Sequence, residues 1–224
     1  MLFAHRGAKA HAPENTIEAF ELAIRLGATG LETDAWRTLD GQVVLDHDGW
    51  QRRFPRRWIA DVDRSRLDDH IPTLGEVYAA VGTDHPISVD LKDPATFAPI
   101  VAVARSHDAL DRLWICHPDL ELLKEWRDEA PDARLVNSTS LDRMERGPEQ
   151  RAAALAAARI DAVNLRQNQW TGGLTTLFHR FEVLCFGWDA QHERQLASLI
   201  DMGIDAVYSD YSDRMAAVAN EYAG

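Results

Sequence analysis

Short apolar runs of strand length alternate with longer stretches of helical periodicity along the whole chain. The runs predict strands near residues 2–5, 29–35, 87–91, 112–116, 133–137, 161–165, 182–186 and 205–209. This alternation is typical of a parallel sheet with crossover helices, and eight such repeats suit a closed barrel. We therefore expect an α/β fold, a (β/α)8 TIM barrel, formed by one domain that spans residues 1–224.

The first predicted helix lies between the first two strands. We expect it to begin at Asn15, which would cap it, and to stop at Gly27. Glu14 and Asn15 are accordingly expected to serve the turn and the cap, with at most a secondary influence on a functional site. Further along, Asp40-Gly41 predicts a hairpin turn into an extra short strand at residues 42–46.

Two acidic residues lie in the second predicted strand. Glu32 and Asp34 are two positions apart, so both carboxylates point to the same face of the sheet. Two like charges placed in this way repel each other and need a cation or a shared proton. Oxygen ligands suit a hard divalent ion such as Mg²⁺ or Ca²⁺ better than zinc. The alternative is that the pair forms the solvated face of an edge strand.

His5, Arg6 and His47 end neighbouring apolar runs. The carboxyl ends of barrel strands share one mouth, so we expect these side chains to meet the acid pair there. A divalent ion, a fixed cation and two groups that titrate near neutrality are a working set for phosphoryl chemistry. His47 taken alone would more often be a surface histidine, but its position behind the acid pair favours a functional role.

Several motifs in this region occur in a fixed order, namely HRG at 5–7, PENT at 13–16, ETD at 32–34, TLDG at 38–41 and HD at 47–48. Together they resemble the glycerophosphodiester phosphodiesterase family. The resemblance is dense over the first 48 residues and thinner to the end. It implies a (β/α)8 barrel that performs metal-dependent hydrolysis of a small glycerophosphodiester, giving sn-glycerol 3-phosphate and an alcohol.

The resemblance also implies roles for particular residues. One divalent cation, Mg²⁺ or Ca²⁺, is expected on Glu32, Asp34 and Asp90. His5 and His47 are expected to divide the acid and base work. The predicted substrate contacts are Arg6 and Lys92 at the phosphate and Trp188 at the glycerol moiety. The nucleophile is left open between water and a neighbouring hydroxyl of the glycerol, which would give a cyclic phosphate first.

The chain departs from the family pattern at two places. Asp90 stands where a family member usually has glutamate, and the insertion at residues 49–70, after the second strand region, is shortened. Most of its arginines are expected to be solvated surface charges, namely Arg52, Arg53, Arg56 and Arg57. The departures keep open a noncatalytic barrel that binds phosphodiesters. A second alternative is an enzyme like phospholipase D or sphingomyelinase D that acts on lipid headgroups, because such enzymes resemble this family in the barrel and in the paired histidines and acids.

Four further residues lie at or just after the ends of predicted strands. His117 is equally compatible with a site contact and with a structural role, and Asn137 and Asn164 are weaker candidates for the site. For Asp210 we expect a cap on the last helix rather than a place in the site network. The alternative for Lys92 is a simple ion pair with Asp90.

The chain has 224 residues and a formal net charge of −12, which argues against nucleic acid or an anionic membrane surface as the main partner. Cys116 and Cys185 lie in apolar runs, so we expect buried thiols in a reducing compartment rather than a disulfide. Met1 leads straight into the first motif, with no room for a signal peptide. We therefore expect a cytoplasmic protein without stable membrane association, and leave open whether it forms a homodimer.

Overall fold

The computed structural model describes residues 1–51 and 56–223. Its strands are β1 Leu2–Ala4, β2 Gly30–Arg37, β3 Val43–Leu45, β4 Trp50–Gln51, β5 Arg57–Trp58, β6 Ile87–Leu91, β7 Leu113–His117, β8 Arg134–Ser138, β9 Ala162–Arg166, β10 Leu184–Trp188 and β11 Ala206–Ser209. Its helices are α1 Ile17–Arg25, α2 Leu74–Val81, α3 Phe97–Ser106, α4 Leu120–Glu129, α5 Pro148–Ala157, α6 Gly172–His179, α7 Glu193–Asp201 and α8 Ser212–Ala223.

The parallel strands close into a barrel. Their order around it is β1, β2, β6, β7, β8, β9, β10 and β11, and β1 pairs with both β2 and β11. A helix follows each of these strands before the next, so the predicted (β/α)8 barrel is confirmed. The predicted extra strand is also present, as β3, which pairs antiparallel with β2.

The start of α1 differs from the prediction. The side-chain oxygen of Thr16 accepts a hydrogen bond of 3.2 Å from the backbone N–H of Ala19, which makes Thr16 the cap. Asn15 has a positive φ of 55° and is buried. The prediction that Asn15 caps the helix is therefore wrong, because its side chain is directed inward instead.

Large side chains fill the lower part of the barrel interior. Phe3, Trp114, Phe186 and Tyr208 belong to one buried cluster, in which the rings of Phe3 and Tyr208 stack at 5.0 Å. Because strand side chains alternate between faces, the residue two positions later on each strand also points inward, one layer nearer the mouth. His5 and Asp210, which come two positions after Phe3 and Tyr208, therefore lie directly above this buried cluster, which forms the packed floor of the barrel.

The described residues between β3 and α2 pack, together with β3, as a small satellite of the barrel. The core of this satellite consists of Val44 from β3 and of Ile59, Val62, Leu67 and Ile71. Packing of this segment brings the residues after β3 over the mouth of the barrel. As expected, its arginines at 56 and 57 are exposed, whereas those predicted at 52 and 53 lie outside the described residues.

A buried ion pair joins two layers of the fold at the opposite end of the barrel. Arg127 of α4 is only 5% exposed, and its guanidinium lies 2.5 Å from a carboxylate oxygen of Asp161. It also donates to the carbonyl oxygens of Pro131 and Ala133. The same carboxylate accepts from the backbone N–H of Leu135 in β8, so it links a helix to a strand.

We expect the Asp161→Ala variant to lose about 3 kcal/mol of unfolding free energy, because it leaves the Arg127 charge buried without its partner. Denaturant unfolding would measure this loss. The matched control is Asp132→Ala, which removes an exposed ion pair with Arg105 and should cost no more than about 1 kcal/mol. Equal, small losses in the two variants would contradict a structural role for the buried pair.

Cys116 and Cys185 are both free and buried, which confirms the prediction of buried thiols. In the part of the chain that the structure describes, no helix has the length and apolar character needed to span a membrane.

Candidate active site

A cavity of about 550 Å³ opens at the carboxyl ends of the barrel strands. All residues predicted for the site line it, namely His5, Arg6, Glu32, Asp34, His47, Asp90, Lys92 and Trp188. They come from the ends of β1, β2, β6 and β10 and from the segment after β3. The barrel thus brings into one cavity side chains that lie far apart in the sequence.

Three carboxylates converge on one point of this cavity. Oxygen atoms of Glu32, Asp34 and Asp90 all lie within 4.8 Å of one another. Asp34 and Asp90 are direct partners in the register of β2 and β6, so their side chains are cross-strand neighbours on the inner face. Aspartate at position 90 therefore reaches the group, although its side chain is one methylene shorter than the glutamate of the family pattern.

Two cations lie against the carboxylates. The Nζ of Lys92 is 2.8 Å from Asp34 and 3.5 Å from Asp90, and the Nε of Arg6 is 3.3 Å from Asp34. Lys92 thus contacts two carboxylates, whereas the alternative of a simple ion pair with Asp90 would involve only one. When all three carboxylates are ionised, they exceed the two fixed cations by one negative charge. An all-oxygen donor set with excess negative charge is suited to a hard divalent cation such as Mg²⁺ or Ca²⁺.

Glu32 is the carboxylate most affected by this crowding. It is only 6% exposed and accepts a hydrogen bond of 2.9 Å from the backbone N–H of Arg6. Burial, together with the negative charges of Asp34 and Asp90, raises the pKa of Glu32 to about 8. The carboxylate therefore holds a proton near neutral pH unless a cation replaces it.

His5 is oriented by a carboxylate from the last strand of the barrel. Its Nδ1 lies 2.6 Å from an oxygen of Asp210, and its Nε2 lies 3.8 Å from Glu32. Burial opposes protonation, but Glu32 when ionised and the hydrogen bond to Asp210 raise the pKa of His5 above its ordinary value. The expectation that Asp210 acts mainly as a helix cap is therefore wrong, because its carboxylate holds this imidazole.

His47 has a similar but more open arrangement. Its Nδ1 lies 2.9 Å from a carboxylate oxygen of Asp48, the next residue in the chain. The side chain is 38% exposed, compared with 29% for His5. Each histidine thus has a carboxylate at Nδ1, and this contact fixes the orientation of the ring.

Glu14 and Asn15 do not line the cavity, but both contact residues that do, which is the secondary influence on the site that the prediction allowed. Glu14 pairs with Arg6 at 3.0 Å, and the amide Nδ2 of Asn15 lies 3.5 Å from Asp34. The Oδ1 of Asn15 accepts a hydrogen bond of 2.8 Å from Thr33. Both residues therefore hold the groups that line the cavity. The sequence signal was their place in the PENT motif, close behind HRG.

The alternation of side chains along the strands separates the remaining candidates. Asn164 lines the cavity, whereas Asn137 faces outward and donates to the carbonyl oxygens of His117 and Pro118. His117 also faces outward, with its ring 5.2 Å from that of Trp126 in α4. Of the two roles left open for His117, the structure thus supports the structural one. Trp188 is 42% exposed at the edge of the cavity.

A family model described as the Glycerophosphoryl diester phosphodiesterase family matches residues 5–214. The chain is 24% identical to a glycerophosphodiester phosphodiesterase of Caldanaerobacter subterraneus subsp. tengcongensis, over 94% of this chain and 93% of that protein. It is also 24% identical to a glycerophosphodiester phosphodiesterase of Bacillus altitudinis, over 98% of both chains.

Solved structures share the same architecture. The glycerophosphodiester phosphodiesterase from Thermotoga maritima superposes with a TM-score of 0.81 at 25% identity, over 95% of each chain. A phosphodiesterase from Oleispira antarctica, solved in complex with the product sn-glycerol-3-phosphate, gives a TM-score of 0.84 at 21% identity, over 98% of this chain and 96% of that one. The chain therefore belongs to the glycerophosphoryl diester phosphodiesterase family, whose members are phosphoric diester hydrolases.

Proposed function

We propose that this enzyme hydrolyses small glycerophosphodiesters to sn-glycerol 3-phosphate and an alcohol, with the help of one divalent cation and two histidines. The observation that carries the proposal is the shared cavity, in which His5 and His47 line the same space as the carboxylate cluster. Support also comes from the Oleispira antarctica relative, which was solved with sn-glycerol-3-phosphate as its product.

Glu32, Asp34 and Asp90 are the residues that would hold the divalent ion. When bound, such an ion offsets the charge that builds up on the nonbridging phosphate oxygens. Arg6 and Lys92 lie beside the cluster and supply fixed positive charge to the same oxygens. Guanidinium and ammonium groups placed before the reaction starts stabilise the developing charge without reorganisation, and this is usually the largest contribution to catalysis.

The two histidines are proposed to divide the proton transfers. One accepts the proton of the nucleophile, and the other donates a proton to the oxygen of the leaving alcohol. Asp210 and Asp48 hold the two rings at Nδ1, which leaves each Nε2 for the transfer. The glycerol moiety is proposed to pack on Trp188.

The proposal is tested by hydrolysis of a panel of glycerophosphodiesters with Mg²⁺, Ca²⁺ and Mn²⁺ added in turn and chelator as control. We expect release of sn-glycerol 3-phosphate with added metal and none with chelator. Release of free choline from lysophosphatidylcholine, without turnover of glycerophosphocholine, would favour the phospholipase D alternative. Binding of a diester without turnover in any metal would favour the noncatalytic barrel.

Stabilisation by the metal is expected to increase with pH. Below about pH 8 the ion must displace the proton of Glu32, so its apparent affinity should fall by up to about tenfold per pH unit as the pH is lowered. In the metal-free protein the raised pKa acts in the opposite direction. Its stability falls as the pH rises from about 4.5 to about 8, because over this range the glutamate ionises in the unfolded chain but stays protonated in the folded protein. Thermal unfolding with and without Mg²⁺ or Ca²⁺ at pH 6 and pH 8 measures both effects. A larger thermal shift at pH 6 would contradict the assignment of Glu32.

We also propose that the enzyme works in a reducing compartment, the cytoplasm, because both of its cysteines are free thiols.

A further inference from the structure

The wall of the cavity beyond the phosphate site is polar and carries one further cation. Ser138 ends β8, and Thr139 and Ser140 follow it. All three line the same cavity as the catalytic groups, and so does Arg143, three residues after Ser140. Three consecutive hydroxyl side chains beside a guanidinium provide hydrogen-bond donors for oxygen-rich groups. This wall has no part in the mechanism proposed above.

Arg143 differs from the other cations around the cavity. Arg6 and Lys92 are engaged by the carboxylate cluster, and the Nζ of Lys9 lies 3.7 Å from Glu14. Over residues 1–51 and 56–223, no carboxylate lies within ion-pair distance of Arg143. Its positive charge is therefore available to a ligand in the cavity.

The aromatic side chain at the mouth is poorly placed to bind a cationic group. The guanidinium of Arg166 lies 5.6 Å from the ring centroid of Trp188. It is held there by Asp189, which accepts hydrogen bonds of 3.0 and 2.7 Å from it. A quaternary ammonium group needs an open aromatic face. One face of Trp188 is covered by a cation, and the glycerol moiety is proposed to pack on the ring, so no face is left for the alcohol.

We propose that the alcohol site prefers a leaving group that carries a negative charge, such as a phosphorylated polyol, over a choline-like cation. This inference rests on the proposed hydrolysis of glycerophosphodiesters. With glycerol on Trp188, the wall formed by Ser138–Ser140 and Arg143 is left for the alcohol. Arg143 would donate to the anionic group of the alcohol, and the neighbouring hydroxyl groups would bind its oxygen atoms.

Three substrates that differ in the charge of the alcohol test the proposal. They are glycerophosphocholine, glycerophosphoglycerol and glycerophosphoglycerol phosphorylated on its terminal hydroxyl. Loss of each diester, followed by ³¹P NMR, gives kcat/KM on a common scale. We expect kcat/KM for the phosphorylated diester to exceed that for glycerophosphoglycerol, whose leaving alcohol is uncharged, by about tenfold, which is the contribution of one charge-assisted hydrogen bond. Glycerophosphocholine should be the slowest.

Variants at position 143 separate the charge of the arginine from its place in the fold. Arg143→Gln should bring the ratio of kcat/KM for the phosphorylated diester to that for glycerophosphoglycerol close to one. Arg143→Lys should keep most of the preference. Arg146→Gln is the matched control, because Arg146 lies in the same loop but lines the neighbouring groove rather than this cavity. The preference should also weaken at high salt, since an exposed guanidinium is screened by ions.

The outcomes distinguish this inference from the proposed function. Hydrolysis of all three diesters with glycerophosphocholine as the best substrate, or an unchanged ratio in Arg143→Gln, would overturn the inference and leave the function intact. Failure to hydrolyse any of the three in the presence of Mg²⁺, Ca²⁺ or Mn²⁺ would overturn the proposed function itself.

Discussion

Replacement of His5 by alanine is expected to lower kcat by about 10³-fold, because a positioned acid or base contributes about 10²- to 10⁴-fold to proton transfer. The imidazole lies between Asp210 at 2.6 Å and Glu32 at 3.8 Å, above the packed floor of the barrel. Its removal takes away the proton-transfer group and leaves the hydrophobic core beneath it unchanged. His47→Ala should produce a loss of similar size through the other proton transfer.

Steady-state kinetics with saturating metal measure the effect, and thermal unfolding shows that the fold is retained. His11→Ala is a matched control, because His11 also pairs with an aspartate, Asp213 at 3.0 Å, but does not line the cavity. It should keep near-native turnover. If His5→Ala or His47→Ala also keeps near-native turnover with excess metal, that histidine has been misassigned.

Replacement of Glu32 by glutamine is expected to abolish most activity and yet to stabilise the metal-free protein. Glutamine has nearly the same shape and its Oε1 can still accept the backbone hydrogen bond from Arg6. It offers no negative charge, so the cation loses one of three carboxylates, and we expect kcat/KM to fall by about 10³-fold. At pH 8 the variant avoids the cost of ionising a buried carboxylate, so its metal-free unfolding temperature should exceed that of the wild type.

Steady-state kinetics with added metal measures the loss of activity. Thermal unfolding at pH 8, with and without metal, measures the stability of the metal-free variant and its metal-dependent shift. The control is Glu18→Gln, which changes an exposed glutamate of α1 and should alter neither activity nor the metal-dependent shift. A Glu32→Gln variant that kept the full metal-dependent shift would show that the ion binds elsewhere. A variant less stable than the wild type without metal would show that Glu32 stabilises the fold as an ionised group.

The architecture was predictable because it depends on local patterns. Alternation of strand-like and helix-like segments can be recognised directly in the sequence, and an i, i+2 spacing fixes which strand residues share a face. That spacing was sufficient to place Glu32 and Asp34 together. The same rule explains why Asn164 lines the cavity and Asn137 does not, although the sequence analysis treated these two residues alike.

The errors concern residues whose roles depend on a distant partner. Asp210 resembles a helix cap in sequence, yet its carboxylate binds His5, which lies 205 positions away. Asn15 stands where a cap is expected, but a positive φ directs its side chain to Thr33 and Asp34. The local conformational preferences of a residue do not predict contacts of this kind, because such contacts form only when the barrel closes.

The amino-acid sequence by itself determined the barrel, the family resemblance and the set of acids, histidines and cations at the strand ends, since each follows from periodicity, strand parity or a short motif. Only the tertiary structure decided which of those groups touch and how their charges are balanced. Closure of β1 against β11 brings Asp210 to His5, and burial next to two other carboxylates raises the pKa of Glu32. Both effects depend on distance and solvent exposure, which are properties of the folded chain.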